Sequence, residues 1–462
     1  MLTQYLYSYL IVDYDRSNFS VSQALFPDPS IEQNLVLIYP PGNDNTSLTS
    51  PTSSTSDNKS GHHLQIGVIV AIVAISVVVF AISLLGLFWR KLLEIWTIRP
   101  IPKDRLQFRV AIICALGIEE FNPVATALDM DFKKDFGKDF GRAPSDTNSY
   151  TTGRLANHDV VIVCLPNTGK GSATSASTSL LVSYPNIRLA LVVGVCAAAP
   201  KDQTGKDIIL GDVLISTHVV QTDYGRHFDS RIETYQGPMH NLGRPNKSIR
   251  AFLNMCSSKY KTLQLEELVA KVVTELLKKP PLQEIAYPGK ERDKLFLPEY
   301  QHQHSESSDC KQCGIDPAKC VTARNTSCTD LGCAHTNLIP RQRLEPRSNE
   351  EQSERGSGQE PLPHLHFGPI ASADQVIRSA SLRDELVAKY GVIGFEMEAA
   401  GVWDNIPTVV IKGACDYADS HKNKDFQLYA SVTAAACTKA LLRHWHSVDI
   451  SFSEDDPSPG EG

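Results

Sequence analysis

Five apolar, largely β-branched runs separated by helix-like segments constrain the fold of this chain most strongly. The runs are residues 110–115 (VAIICA), 160–165 (VVIVCL), 189–193 (LALVV), 208–216 (IILGDVLIS) and 406–411 (IPTVVI). Apolar runs bounded by turn formers are typical of buried strands. Strands that alternate with helices predict an α/β domain built on a largely buried sheet. The pattern places this domain at residues 105–447.

Residues 394–424, GFEMEAAGVWDNIPTVVIKGACDYADSHKNK, are the most informative for function. A short predicted helix at 398–404 is followed by the strand at 406–411, and Asp416 lies just beyond that strand. Because ligands bind at the carboxyl ends of strands in open α/β sheets, Glu398 and Asp416 are predicted to reach one end of the sheet. An acidic residue after a strand is more often a helix cap or a solvated loop residue. The pair alone therefore leaves a structural interpretation open.

Several motifs in a fixed order resemble the purine nucleoside phosphorylase and nucleosidase superfamily, which includes methylthioadenosine/S-adenosylhomocysteine nucleosidase, and most of all its fungal branch. The motifs are AIICALGIEE, LVVGVCAAAP, ILGDVLIS and the 394–424 stretch. The resemblance implies a three-layer α/β fold with a mixed central sheet. It also implies cleavage of the N-glycosidic bond of a purine nucleoside, a homo-oligomeric assembly, and no cofactor, with phosphate as co-substrate in a phosphorylase.

The resemblance assigns two catalytic residues. Glu119, by its spacing from the first strand, matches the acid that activates water, and Asp416 matches the general acid that protonates the departing purine. The bond breaks with positive charge on the sugar and negative charge on the base. A carboxylic acid aimed at the base neutralises the leaving group, and such help is typically worth about 10²–10⁴-fold.

The resemblance also implies a substrate-binding set. Met397 and Glu398 match a ribose-binding pair, and Lys412 stands where nucleosidases often have an arginine near the water. Val376 lies in the segment that lines the purine and is the expected base contact. The full predicted set is Glu398, Met397, Glu396, Lys412, Val376 and Gly194.

The sequence favours water over phosphate as the nucleophile. Phosphate-using members commonly carry an arginine where this chain has Val192, and an anion needs such a donor. Phosphorolysis stays open because Arg226 or a neighbouring subunit could supply the charge. Alanines at 197–199 replace the usual glycines, and their methyl groups could crowd the site. A module that binds a nucleoside without cleaving it is therefore a third interpretation.

Two other partner classes are excluded. The segment GKG at 169–171 is not a nucleotide-binding P-loop, because the glycine that this loop needs five residues earlier falls on Cys164. The formal net charge of −7 gives no basic footprint, so nucleic acid is not an expected partner.

Residues 66–89 form an uncharged apolar run of 24 residues, long enough to cross a bilayer core of roughly 30 Å. Basic residues cluster after this run, so the positive-inside rule predicts a single-pass membrane protein with its N-terminus outside and its catalytic domain in the cytosol. Residues 1–65 are predicted to be a largely disordered, Ser/Thr-rich extracellular stalk. A buried soluble helix and a mis-joined gene model are the alternatives.

Residues 290–365 interrupt the strand–helix pattern with a polar insert. Five of the eleven cysteines lie in it, namely Cys310, Cys313, Cys320, Cys328 and Cys333. A Cys-x-x-Cys pair with further cysteines can bind zinc, but the spacing after Cys313 fits no standard finger. A disordered insertion with free thiols is therefore the favoured interpretation. Residues 448–462 are predicted to be a disordered tail.

Overall fold

The computed structural model describes residues 8–13, 18–23, 99–228, 231–235, 237, 240–304, 310–315, 320–345 and 362–445. The chain divides into two units, residues 1–98 and 99–462. In the first unit, Ser8–Asp13 (β1) and Asn18–Gln23 (β2) pair as an antiparallel hairpin. The sequence interpretation assigned no strands to this segment.

The second unit is built on a mixed sheet of nine strands. In chain order its described strands are Val110–Cys114 (β3), Met130–Asp131 (β4), Tyr150–Leu155 (β5), His158–Cys164 (β6), Leu189–Ala198 (β7), Val213–Gln221 (β8), Gly225–Phe228 (β9), Arg231–Thr234 (β10), Leu365–Ser372 (β11), Gly394–Glu396 (β12) and Thr408–Asp416 (β13). The order across the sheet is β12-β11-β8-β13-β7-β3-β6-β5-β4, while β9 and β10 form a separate antiparallel ribbon.

The sheet combines parallel and antiparallel pairings, and strand β11 pairs in parallel with both β8 and β12. Strand β3 pairs in parallel with β6 and β7, and β7 pairs in parallel with β13. Strand β13 runs antiparallel to β8, and β12 pairs with both β11 and β7. Strands β7, β13, β8, β11 and β12 thus close into a ring. The predicted mixed α/β fold with a central sheet is confirmed.

Helices cover both faces of the sheet. The described helices are Asn122–Ala127 (α1), Phe132–Phe136 (α2), Lys170–Ser183 (α3), Lys247–Cys256 (α4), Lys259–Leu276 (α5), Lys311–Ile315 (α6), Val321–Asn325 (α7), Ala380–Tyr390 (α8), Ala399–Trp403 (α9) and Gln427–Leu442 (α10). Helices α1, α4, α5 and α10 share one apolar core with the sheet, and α3 and α9 share the other.

Strand β3 shows why the sequence pattern is continuous rather than alternating. Val110 and Ile112 point into the core under α5 and α10, whereas Ala111 and Ile113 point into the core under α3 and α9. Successive strand residues face opposite sides, so a strand covered on both faces must be apolar at every position.

The predicted single-pass membrane localisation is not upheld. Within the described part of the chain, no helix is both long and apolar enough to cross a membrane. The longest described helix, α5, has 18 residues but carries six charged side chains, and the more apolar α10 has 16, below the roughly 20 residues that a span needs. The predicted span itself, residues 66–89, lies outside the described residues, as does the predicted tail.

Strand β8 begins five residues later than the predicted run at 208. Gly211 adopts a positive φ of 94°, which breaks the extended chain, and Asp212 is buried beside it. The Asp212 carboxylate accepts a hydrogen bond from the His366 ring at 3.0 Å and pairs with Arg343. The other ring nitrogen of His366 lies 2.8 Å from Asp202. These polar contacts stabilise the turn at Gly211 and Asp212, which the run of apolar residues did not indicate.

Candidate active site

A cavity of about 570 Å³ opens where β7, β12 and β13 end. Its wall includes acidic side chains from three separate parts of the chain: Glu120 after β3, Glu396 and Glu398 at β12, and Asp416 at the end of β13. All four are buried, with 5% or less of their surface exposed. Carboxylates are rarely buried without hydrogen-bond or charged partners, so each of these four side chains is expected to have such partners.

Glu120, and not the predicted Glu119, is the acid of the first loop that reaches the cavity. Residues Gly117–Phe121 form a π-helical turn after β3, which aims Glu120 inward and leaves Glu119 half-buried and outside the cavity wall. The backbone N–H groups of Ala115 and Val195 donate to its two carboxylate oxygens at 2.7 and 2.9 Å. The geometry therefore corrects the predicted position by one residue.

Gly194 makes room for this carboxylate instead of lining the cavity. A Cβ atom at position 194 would lie 1.8 Å from Oε1 of Glu120 and 2.1 Å from its Cδ. No side chain fits at that distance, so glycine is required here as long as Glu120 occupies its observed position. The sequence prediction named Gly194 as a substrate-binding residue, and the structure instead gives it a supporting contact.

Lys412 lies between two of the carboxylates. Its Nζ is 3.1 Å from Oε2 of Glu398 and 3.6 Å from Oε1 of Glu120, and only 1% of the residue is exposed. Burial alone would lower the pKa of Lys412, but the charges of Glu120 and Glu398 hold that pKa well above the ordinary lysine value. A buried ammonium thus offsets the repulsion between two buried carboxylates.

Glu398 and Glu396 each accept backbone N–H groups at the start of a helix. The second oxygen of Glu398 accepts the backbone N–H of Gly169, just before α3, at 3.3 Å. Glu396 accepts the N–H groups of Glu398 and Ala399 at 3.0 Å each and so caps α9. Burial, followed by the charge of Glu398, raises the pKa of Glu396 to about 7. Met397, between them, lines the cavity.

Asp416 is the last residue of β13 and carries an ion pair that sequence reasoning missed. Its Oδ2 lies 2.9 Å from Nζ of Lys422, and its Oδ1 accepts the N–H of Ala418 at 2.9 Å. Burial alone would lower the pKa of Lys422, but the Asp416 charge holds that pKa above its ordinary value. Lys422 lies in the 394–424 stretch, six residues after Asp416. A lysine this close in sequence to an acidic residue could have indicated the ion pair.

The remaining predicted positions divide between the cavity and the core. Val376 lines the cavity with 57% of its surface exposed. Of the alanines at 197–199, only Ala197 belongs to the described cavity wall, so one methyl group lines the cavity instead of three. Val192 is buried in β7, and Arg226 is outside the described cavity wall.

The insert supplies a wall of the cavity that the sequence did not predict. Residues Arg324 to Ser327, which end α7 and follow it, line the cavity together with Arg378. The five cysteines of the insert are outside the described wall. Four of them lie with histidines in two groups, and the fifth, Cys328, lies 3.7 Å from His302 of the second group.

Comparisons with known proteins give one family match and several similar proteins. Residues 109–272 match the family model of the phosphorylase superfamily. A nucleotide-binding leucine-rich repeat (NLR)-like protein of Hyaloscypha variabilis is 31% identical over 303 residues, which make up 64% of this chain. The chain spans 26% of the length of that relative.

Solved structures similar to this chain include two enzymes of Helicobacter pylori. The first is 5′-methylthioadenosine/S-adenosylhomocysteine nucleosidase, with a TM-score of 0.40, 18% identity, and coverage of 73% of this chain and 99% of that chain. The second is futalosine hydrolase, with a TM-score of 0.40, 16% identity, and coverage of 74% and 100%. The matched family region contains both Glu120 and the Gly194 that accommodates it. The match to the phosphorylase superfamily thus covers residues 109–272 of this chain.

Proposed function

We propose that this domain hydrolyses the N-glycosidic bond of a purine nucleoside. The observation that carries the proposal is the convergence of three buried carboxylates, Glu120, Glu398 and Asp416, on one cavity. Its volume of about 570 Å³ falls within the range of small-molecule sites, about 300–1,000 Å³. The match of residues 109–272 to the phosphorylase superfamily supports the class of reaction.

Asp416 is proposed as the general acid. It ends a rigid strand, and its carboxyl group is positioned by the turn through the N–H of Ala418. Protonation of the departing purine removes the negative charge that develops on the base. Lys422 lies 2.9 Å away, so in this scheme Asp416 must gain a proton and give up this ion pair before it can act as the acid.

Glu120 is proposed to orient the attacking water. Backbone N–H groups and Lys412 hold its carboxylate in place, and it faces the cavity from a different segment than Asp416. Glu398 is proposed to accept the ribose hydroxyl groups. Its charge, fixed before the reaction, also favours the positive sugar of the transition state.

A second candidate is a nucleoside-binding module without turnover. The ion pair between Asp416 and Lys422 favours it, because an aspartate that keeps this pair has no proton to donate. Phosphorolysis is the less favoured chemistry, because position 192 holds a buried valine.

The full chain should be incubated with adenosine, inosine and methylthioadenosine, with and without phosphate. Free base without phosphate supports hydrolysis, base with ribose 1-phosphate supports phosphorolysis, and binding without product supports the sensor. Asp416→Asn and Glu120→Gln should each lower kcat by about 10²-fold or more. Glu119→Gln is the matched control, one residue away and outside the cavity wall, and should leave kcat unchanged. Equal losses for Glu119→Gln and Glu120→Gln would overturn the assignment.

A further inference from the structure

Seven cysteine and histidine side chains of the insert, with one more from the loop that follows β13, form two compact groups. The first group is His304, Cys310, Cys313 and Cys320, whose ligand atoms all lie within 4.8 Å of one another. The second group is His302, Cys328, Cys333 and His421. In it, the ligand atoms of His302, Cys333 and His421 satisfy the same limit. The two groups share no residue.

The first group has the dimensions of a tetrahedral metal site. The Sγ atoms of Cys310 and Cys320 are 3.8 Å apart, and Nδ1 of His304 lies 3.7 Å from Cys320 and 3.2 Å from Cys313. With Zn–S and Zn–N bonds of about 2.3 and 2.0 Å, the edges of a tetrahedron are about 3.8 Å for S···S and 3.5 Å for S···N. The observed spacings lie close to these values.

The second group shows a histidine already prepared to bind a metal. Nε2 of His302 lies 2.8 Å from the carbonyl of Thr326, and because a carbonyl only accepts, Nε2 carries the proton. Nδ1 therefore presents its lone pair, and it lies 3.4 Å from Sγ of Cys333 and 3.7 Å from Sγ of Cys328. A second hydrogen bond of this kind commonly orients histidine ligands of metals.

The fourth member of this group leaves a buried nitrogen without a partner. His421 is 5% exposed and stacks on Phe296 with ring centroids 3.9 Å apart. Among the described residues, its Nε2 makes no hydrogen bond. A buried, unsatisfied ring nitrogen costs free energy unless it has a ligand, and a metal in the second group would provide one.

The geometry points to two structural zinc sites, a Cys₃His site at His304, Cys310, Cys313 and Cys320 and a Cys₂His₂ site at His302, Cys328, Cys333 and His421. Thiolate and imidazole ligands in closed tetrahedral sets are those that zinc prefers in structural sites. None of the eleven cysteines forms a disulfide bond, so the sulfur atoms of both groups are available to bind a metal.

The two sites hold the insert against the cavity. Cys320 belongs to the first site and Cys328 to the second, and the seven residues between them include the four that line the cavity. His421 lies five residues after Asp416, in the loop that follows β13. A metal that binds His421 and Cys333 therefore ties the insert to the loop that directly follows the proposed general acid. The metal content itself does not depend on the proposed reaction.

Metal analysis of the full chain, purified without chelator, tests this inference. Wild type should contain about two zinc ions per chain, and Cys313→Ala and Cys333→Ala should each contain about one. Cys164→Ala, a cysteine outside both groups, is the matched control and should keep two. Cobalt-loaded protein should show the thiolate charge-transfer and d–d absorption of tetrahedral sites, and Cys313→Ala should lose part of both.

Limited trypsin digestion adds a readout that does not require the variants to be stable. Arg324 lies between the two sites, and removal of zinc by a chelator should speed cleavage after it by roughly tenfold or more, because local opening limits cleavage. Folded wild type with less than half a zinc ion per chain, or unchanged metal in both variants, would overturn the inference. Loss of metal in only one variant would overturn the site whose variant keeps its metal.

Discussion

Replacing Gly194 by alanine should displace Glu120 from its position at the cavity wall. The new Cβ atom would lie 1.8 Å from Oε1 and 2.6 Å from Oε2 of that carboxylate, and no rotation of a methyl group relieves such overlap. The carboxylate must move away from the N–H groups of Ala115 and Val195, which donate to it in the native structure. Overpacking costs about 1–3 kcal/mol, and each unsatisfied buried N–H adds about 1–3 kcal/mol. We expect a total destabilisation of about 3 kcal/mol or more.

A double-mutant cycle isolates this contact. In a Glu120→Ala background the atoms that oppose the new methyl group are absent, so Gly194→Ala should cost less than about 1 kcal/mol there. Urea denaturation of the four proteins measures the coupling free energy. Gly117→Ala is the control, because a Cβ at position 117 meets no atom within 4 Å. Hydrolysis by Gly194→Ala should fall about as far as in Glu120→Gln.

The result that would refute this reasoning is an equal cost of Gly194→Ala in both backgrounds. It would show that the methyl group meets some part of the protein other than the Glu120 carboxylate. Full activity in a folded Gly194→Ala protein would argue against the role of Glu120 itself.

Three further predictions concern charge and space around the site. Lys412→Met should destabilise the protein by about 3–5 kcal/mol, because it leaves two buried carboxylates unpaired. Urea denaturation should show that stability is partly recovered when Glu398→Gln is added, which checks the cause. The carboxylates of Asp202 and Asp212 face His366 and raise its pKa above 6.5, although burial alone would lower that pKa. The stabilisation of the folded protein by His366 is therefore complete below about pH 6.5 and is lost as pH rises through the folded-state pKa. Urea midpoints from pH 6 to 9 should fall more steeply for wild type than for His366→Gln, and parallel curves would contradict this. Ala197→Gly removes the alanine methyl group at the cavity wall and should change KM by about tenfold or less.

The sequence predicted the architecture because the sheet is buried on both faces. A doubly covered strand is apolar at every position, and that pattern is visible without any tertiary information. The same reasoning predicted that Glu398 and Asp416 lie at one end of the sheet. Glu398 comes shortly after β12 and Asp416 ends β13, so the strands fix the positions of both residues. The start of β8 was misjudged because the apolar run continues through the turn at Gly211, where the conformation depends on the buried Asp212 cluster.

The error at Glu119 has a local cause. Counting from the end of β3 gives two adjacent glutamates, and only the hand and pitch of the next turn decide which one faces inward. The turn Gly117–Phe121 is π-helical, with the N–H of Phe121 bonded to the carbonyl of Leu116, a geometry that is rare and frequently found at functional sites. Gly194 was a usable signal, because a glycine in a buried strand indicates close approach of another group.

The insert was harder to interpret because its ligand sets are assembled in three dimensions. His302 and His304 precede the cysteines, and His421 comes from a distant loop, so the spacing after Cys313 resembles no standard finger. His335 lies two residues after Cys333 in the sequence but is outside both described groups. Chain spacing identifies a metal site only when its ligands come from one local segment.

The choice between water and phosphate can be argued from the charges around Lys412. This ammonium faces two carboxylates, Glu398 at 3.1 Å and Glu120 at 3.6 Å, so its charge is already more than balanced. A phosphate placed beside Glu120 would bring further negative charge into a buried region where like charges repel strongly. A neutral water gains a hydrogen-bond acceptor there without that cost, and the uncompensated negative charge favours a sugar that becomes positive. The electrostatics around Lys412 therefore favour hydrolysis, and phosphate should fail to accelerate base release by the full chain.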